Sequence, residues 1–182
     1  MQITDRELWL LNFYRNSELH GALLMGRLAR TLSDNELLLQ ATKHCATEAR
    51  HAAMLSEAIV SVDGRLDPAV KPVQEHYSAS GGIPKALADL LVLSETLEKR
   101  VLTTYRAHMG RSDVHPIVRK TIEGILQEME HEHGDEHAGW IDTALNALPA
   151  ADVQSAETRW RAIDRDVANE LAKQLDERFP RP

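Results

Sequence analysis

Cysteine is almost absent. The single Cys45 excludes an internal disulfide and any metal cage built from cysteine alone, and it fits a reducing compartment. No uninterrupted apolar run approaches the roughly 20 residues that a membrane helix needs. The opening residues, M-Q-I-T-D-R-E-L-W-L, bring in an acid and a base before any apolar stretch and do not read as a signal peptide. Positive charge is in deficit: 21 Lys and Arg against 28 Asp and Glu give a net charge of −7. That balance disfavours a nucleic-acid backbone as partner and suits a protein that collects cations, although a modest negative charge by itself does no more than keep a protein in solution. Strand-like alternation is missing too. The expectation is a cytoplasmic all-α protein with no membrane and no nucleic-acid partner, its 182 residues sufficient for one core without disulfides.

What is present is helical periodicity in five segments. Thr4 with Glu7, and Ser33 with Glu36, read as capping boxes that open helices over about 5–32 and 34–62. Residues 63–82 hold two prolines and three glycines with no helical period, and read as a loop of about 20 residues. Its extended reach, roughly 60 Å, exceeds the roughly 40 Å length of a 27-residue helix, so it can carry the chain back along the whole bundle. Pro84 opens a third helix to about 109, and a fourth spans about 114–147. Residues 1–150 therefore read as a four-helix unit with a long crossover between helices 2 and 3. Residues 151–182 form a C-terminal amphipathic fifth helix, with Trp160, Ile163, Val167, Leu171 and Leu175 on one stripe, packing on the bundle or on a partner subunit.

At 100° per residue, each bundle helix carries a carboxylate at mid-length on its apolar face. Glu18 lies among Leu11, Tyr14, Ala22, Met25 and Ala29. Glu48 and His51 lie among Leu37, Ala41, Leu55 and Ile59. Leu87, Leu91, Leu102 and Tyr105 enclose Glu95 and Glu98, and Ile122, Leu126, Met129 and Trp140 enclose Glu130, His133 and His137. A buried carboxylate needs a partner or a shifted pKa, and these faces offer no Lys or Arg beyond Arg15 at an edge. Two divalent or trivalent cations answer the problem, and a set of oxygens and imidazoles suits iron or manganese.

Residues i and i+3 lie one turn apart on one face, so a Glu can bridge two ions while the His below it binds one. Di-metal carboxylate bundles use a Glu from each of two helices and Glu-x-x-His from each of the other two. Glu48-x-x-His51 and Glu130-x-x-His133 supply the pairs here, and Glu18 with Glu95 or Glu98, or both, the single carboxylates. Glu128-x-x-His131 is read as a stray pair because it points away from Leu126. His137 reads as a polar neighbour of the site, and His44 as a satisfied buried histidine. Tyr14 and Tyr105 are candidates to hydrogen-bond a ligand carboxylate. His76 and Tyr77 are expected to be exposed on the crossover. A metal-free bundle with solvated charges is the plain alternative to all of this.

With those residues in view, the chain resembles the rubrerythrin branch of the ferritin-like superfamily. The run T-E-A-R-H-A-A-M-L around Glu48 and His51 is similar to that family's second-helix motif, and Glu95-x-x-Glu98 is similar to its third-helix pair. The likeness covers about 5–147. It departs from the family in lacking a cysteine-rich electron-transfer domain and in the His-rich fourth helix, E-M-E-H-E-H-G-D-E-H. The resemblance implies a ferritin-like four-helix bundle holding two iron ions, with manganese or a mixed manganese and iron pair as the variant. It implies reaction with dioxygen or hydrogen peroxide as oxidase, peroxidase or oxygenase, fed by an unidentified electron donor. The alternative is a ferroxidase site feeding an iron store. A second apolar stripe, Leu90, Leu93, Leu97 and Val101, calls for a cover, either the fifth helix or the partner in a homodimer.

Overall fold

The computed structural model describes residues 2–132 and 139–179, the side chains of 130–132 excepted. All described elements are helices: α1 (Asp5–Ala29), α2 (Asn35–Ser61), α3 (Val73–Gly81), α4 (Leu87–Met109), α5 (Pro116–Glu132), α6 (Gly139–Asn146) and α7 (Ala150–Arg178). No described helix is long and apolar enough to cross a membrane.

The helix starts follow their caps, with adjustments. Thr4 Oγ1 accepts from the Glu7 amide at 3.2 Å, but the Glu7 carboxylate does not close the expected box; it accepts from the His115 amide instead, at 2.8 Å. At α2 the cap is Asp34, one residue beyond Ser33, and its Oδ1 accepts from the amides of Glu36 and Leu37. The segment expected as one helix over 114–147 contains α5 and α6, and residues 133–138 between them lie outside the described residues.

Side-chain pairs give the helix directions. Arg15 meets Ser56, Glu18 meets His51 and Cys45 Sγ donates to the Ala22 carbonyl, so α1 and α2 are antiparallel. Tyr14 meets His108 and Glu18 meets Tyr105, so α4 is antiparallel to α1 as well. Consequently α2 and α4 run the same way. His51 meets Glu128, and Met54 packs beside Gly124, which makes α5 antiparallel to α2. Contacts of α1 with α2, α2 with α5, α5 with α4 and α4 with α1 close a ring around Leu11, Leu28, Leu55, Ile59, Leu91 and Ile122, all essentially inaccessible.

The connection from α2 to α4 differs from the bare loop expected over 63–82. It contains α3, which is capped at its C-terminus by Gly82, a residue with φ of 74° that a side chain would strain. Buried polar residues of α1 hold this connection. Asn12 bonds the Arg65 carbonyl and the Asp67 amide, Asn16 donates to the carbonyls of Asp67 and Val70, and Ser17 Oγ accepts from the Val73 amide. His76 and Tyr77, expected to be exposed, are buried.

α7 packs on α4 and α3 of its own chain. It buries Trp160 and Val167, while Leu90, Leu93 and Leu97 of α4 are also buried. The stripe that called for a cover has one within the chain, so that stripe no longer argues for a homodimer. A polar clasp fixes the arrangement: Tyr77 Oη donates to Asp164 Oδ1, and Arg100 holds both Asp164 carboxylate oxygens, at 3.0 and 2.6 Å. Trp160 Nε1 donates to Asp89 at 2.8 Å.

Candidate metal centre

The middle of the ring is where α1, α2 and α4 bring their acids together. Glu18 is only 3% exposed. Its Oε2 lies 3.4 Å from His51 Nδ1, its Oε1 accepts from the Tyr105 hydroxyl, and its carboxyl group lies against that of Glu48, which favours the charged form of Glu18. Glu48 Oε1 lies 3.2 Å from His44 Nε2, and the same nitrogen lies 3.4 Å from Glu98 Oε1. Three carboxylates from three helices and two imidazoles of α2 thus form one contiguous set. A void of about 30 Å³ is bounded by Glu18, Gly21, Glu48, Glu98 and Met129 among others.

Gly21 explains how Glu48 fits. A Cβ at this position of α1 would collide with Glu48 Oε2, and the rest of that carboxyl group would be crowded as well. The absent side chain on α1 is the space that the α2 carboxylate occupies.

The electrostatics follow from burial. Desolvation pushes the Glu18 pKa up, but hydrogen bonding and charge from His51, with the bonds from Glu48 and Tyr105, outweigh it, and the net direction is down. Desolvation pushes His51 down, and Glu18 and Glu128 outweigh it, so the net direction is up. The two shifts agree on a carboxylate facing an imidazolium. Burial together with the Glu18 charge holds the Tyr105 hydroxyl well above the ordinary tyrosine value, so it stays protonated and donates. The charged side chains buried among the described residues are acids and histidines, with no Lys or Arg.

Of the residues singled out from sequence, the structure brings together Glu18, Glu48, His51 and Glu98. Glu95 is at the rim, where its Oε1 accepts from Lys99 Nζ at 2.5 Å. The Glu130 side chain, His133 and His137 lie outside the described residues. His44 proves to be a bridge between Glu48 and Glu98. Tyr105 bonds Glu18, whereas Tyr14 bonds His108.

Glu128 is a correction. Read as pointing away, it lies with Oε2 3.1 Å from His51 Nε2 and 2.8 Å from the Arg50 guanidinium. The buried stripe of α5 runs through Val118, Ile122, Ile125 and Met129, and Leu126 is only half-buried. The helix is rotated from the sector assumed on the wheel, and that rotation turns Glu128 to the α2 side.

Among the described residues, a cleft of about 540 Å³ opens over His44, Glu48, His51 and Glu98, with Lys43, Arg50 and Lys99 also in its walls. No group of three or more His, Cys, Asp or Glu among the described residues is arranged so that it could hold a metal ion. In the described state the acids are held by one another, by imidazoles and by Tyr105. No family model matches the sequence, and comparisons with curated proteins and with solved structures return no match.

Proposed function

We propose that this chain is a ferritin-like, non-haem di-iron protein that reacts with dioxygen or hydrogen peroxide. The observation that carries the reading is the contiguous set of Glu18, Glu48 and Glu98 with His51 and His44, of which Glu18 and His51 are buried and the other three half-buried, in a core whose described part buries no Lys or Arg to balance it. The parallel course of α2 and α4, joined by the long connection over 62–86, supports the one-crossover bundle in which such sites occur.

The donor chemistry fits two hard or borderline cations. Glu18, Glu48, His51 and Glu98 would hold them together with Glu130 and His133, and Glu95, in the wall of the same cleft as Glu98, would join only on leaving Lys99. Carboxylates and imidazoles favour iron or manganese over softer metals. Bound iron supplies the one-electron changes that reduction of dioxygen or peroxide requires.

The chain's own residues do the remaining work. His44 orients Glu48 and Glu98 through one nitrogen, Tyr105 fixes the rotation of Glu18, and Glu128 holds the far nitrogen of His51, the kind of supporting contact that sets ligand geometry. The cleft over His44 and Glu98 admits a small oxidant. The reading places the protein in a reducing cytoplasm, consistent with its lone Cys45.

Anaerobic loading with ferrous ion, followed by separate exposure to dioxygen and to peroxide under optical detection, tests the proposal. New absorption with either oxidant, at about two ions per chain, supports it; no uptake by folded protein overturns it.

A further inference from the structure

Aromatic residues make up only 4% of the chain: 2 Phe, 3 Trp and 3 Tyr. The largest core side chains elsewhere are mostly aliphatic, such as Leu28, Leu55, Ile59, Ile122 and Ile125. Yet five of these eight rings stand in one unbroken file. Phe179 meets Trp9 at 6.2 Å between centroids, Trp9 stacks on Phe13 at 5.5 Å, Phe13 meets Tyr14 at 6.0 Å and Tyr14 meets Tyr105 edge to face at 4.8 Å. The file begins at half-buried Phe179 and Trp9, both under the Arg178 guanidinium, and ends where the Tyr105 hydroxyl donates to Glu18.

The Tyr14 hydroxyl has a base of its own. It lies 3.2 Å from His108 Nδ1, and His108 Nε2 lies 3.6 Å from Glu7 Oε1. All three residues are buried. With Nε2 protonated, Nδ1 is free to accept the phenolic proton and Nε2–H faces the Glu7 carboxylate, which stabilises an imidazolium. Burial lowers the His108 pKa, overcoming the opposing Glu7 charge, so the ring is available as the neutral acceptor. A tyrosine gives up an electron readily only if its proton can leave at the same time, and a base within hydrogen-bond reach provides for that.

We propose that Tyr14 is a one-electron redox residue, with His108 as its proton acceptor, that links the Glu18 centre to the protein surface at Trp9. In the forward step the Tyr14 O–H bond breaks, its proton goes to His108 Nδ1 and one electron leaves to a one-electron oxidant, leaving a neutral phenoxyl radical and an imidazolium. In the return step a one-electron reductant docked near Trp9 supplies an electron, and His108 returns the proton. Tyr105, 4.8 Å from Tyr14, is the ring between it and the carboxylates. That the oxidant in the cell is the oxidised metal pair rests on the proposed function; the chemistry of Tyr14 and His108 does not.

The test is therefore made on the full chain without metal. Flash photolysis with ruthenium tris-bipyridine and persulfate supplies the one-electron oxidant, and electron paramagnetic resonance reads the product. The expected result is a neutral tyrosyl signal that is lost in Tyr14→Phe and kept in Tyr77→Phe and Tyr105→Phe. In the wild-type protein the high-field spectrum should carry the g-shift of a hydrogen bond from imidazolium, and radical formation should slow in deuterated solvent. Both readings use the wild-type protein, and it is their loss together with the signal in Tyr14→Phe that assigns them to the Tyr14 and His108 pair. A signal that survives Tyr14→Phe, or one without the hydrogen-bond shift, overturns the assignment. Failure of the chain to bind iron would leave the result on Tyr14 intact.

Discussion

Two clusters of charge are set into this molecule, and they are solved differently. On the α7 side, Asp164 faces Arg100 and receives the Tyr77 hydroxyl, so one anion meets one cation with matched hydrogen bonds. In the ring, Glu18, Glu48 and Glu98 meet imidazoles and a phenol, and the Glu18 and Glu48 carboxyl groups lie against one another. The first cluster is self-neutralising and its purpose is complete in packing α7. The second holds more acid than the described core balances with base, and it is the one that a pair of cations would complete. The difference separates a neutralised ion pair from a cluster whose acids are left for the proposed cations to balance.

The sharpest way to break the contrast is to remove an acid from each cluster. Glu48→Ala should abolish bimetallic loading, while Asp164→Ala should still take up about two ions per chain, as read by elemental analysis of folded protein. If Asp164→Ala lost the metal and Glu48→Ala kept it, the roles would be reversed. Stability of the metal-free chain should respond in a graded manner. His51→Ala leaves Glu18 buried without its imidazolium and should cost about 3 kcal/mol. Asp164→Ala strands a less buried Arg100 and should cost about 2 kcal/mol. Both are read from denaturant midpoints.

Glu128 sharpens the comparison further because it touches the ring cluster from outside. Glu128→Ala should lower metal affinity about tenfold through loss of the His51 orientation, with little change in stability since the group is exposed. An unchanged affinity would remove Glu128 from the site.

The smallest expected effect is in pH. Glu18 is held below the ordinary 4.5, so its contribution is present above that value and is lost as pH falls through its folded pKa. His51 is held above the ordinary 6.5, so its contribution is present below that value and is lost as pH rises through its folded pKa. The pair therefore stabilises the metal-free chain fully between those two ordinary values and less on either side. Denaturation of His51→Ala across pH should show the alkaline decline flattened.

Periodicity alone made much of this legible. Leu11, Tyr14, Ala22 and Met25 of α1 and Ala41, Leu55 and Ile59 of α2, the apolar residues taken to mark the inward faces, are all buried, and Glu18, Glu48 and His51 share those faces. α5 has apolar residues at 122, 125, 126 and 129, and Ile125 and Leu126 differ by 100° on the wheel. Only the approach of α2, with Met54 beside Gly124, selects Ile125 as the buried one. Glu95 and Glu98 flank one face almost equally, and Lys99, four residues beyond Glu95, draws that acid outward. α3 was hidden for another reason. A nine-residue helix between prolines and glycines has little intrinsic stability, and its support comes from Ser17, Asp164 and Trp160, residues far away in sequence.

The Asp164 clasp also bears on how the chain comes off the ribosome. Tyr77 is synthesised 87 residues before its acceptor, an interval of roughly 4 to 17 seconds at ordinary elongation rates of about 5 to 20 residues per second. Through that interval α3 lacks its outer support and Tyr77 remains wet. The nascent protein can pair α1 with α2 early, but the connection that returns the chain to α4 is sealed only after the first half of α7 has been made.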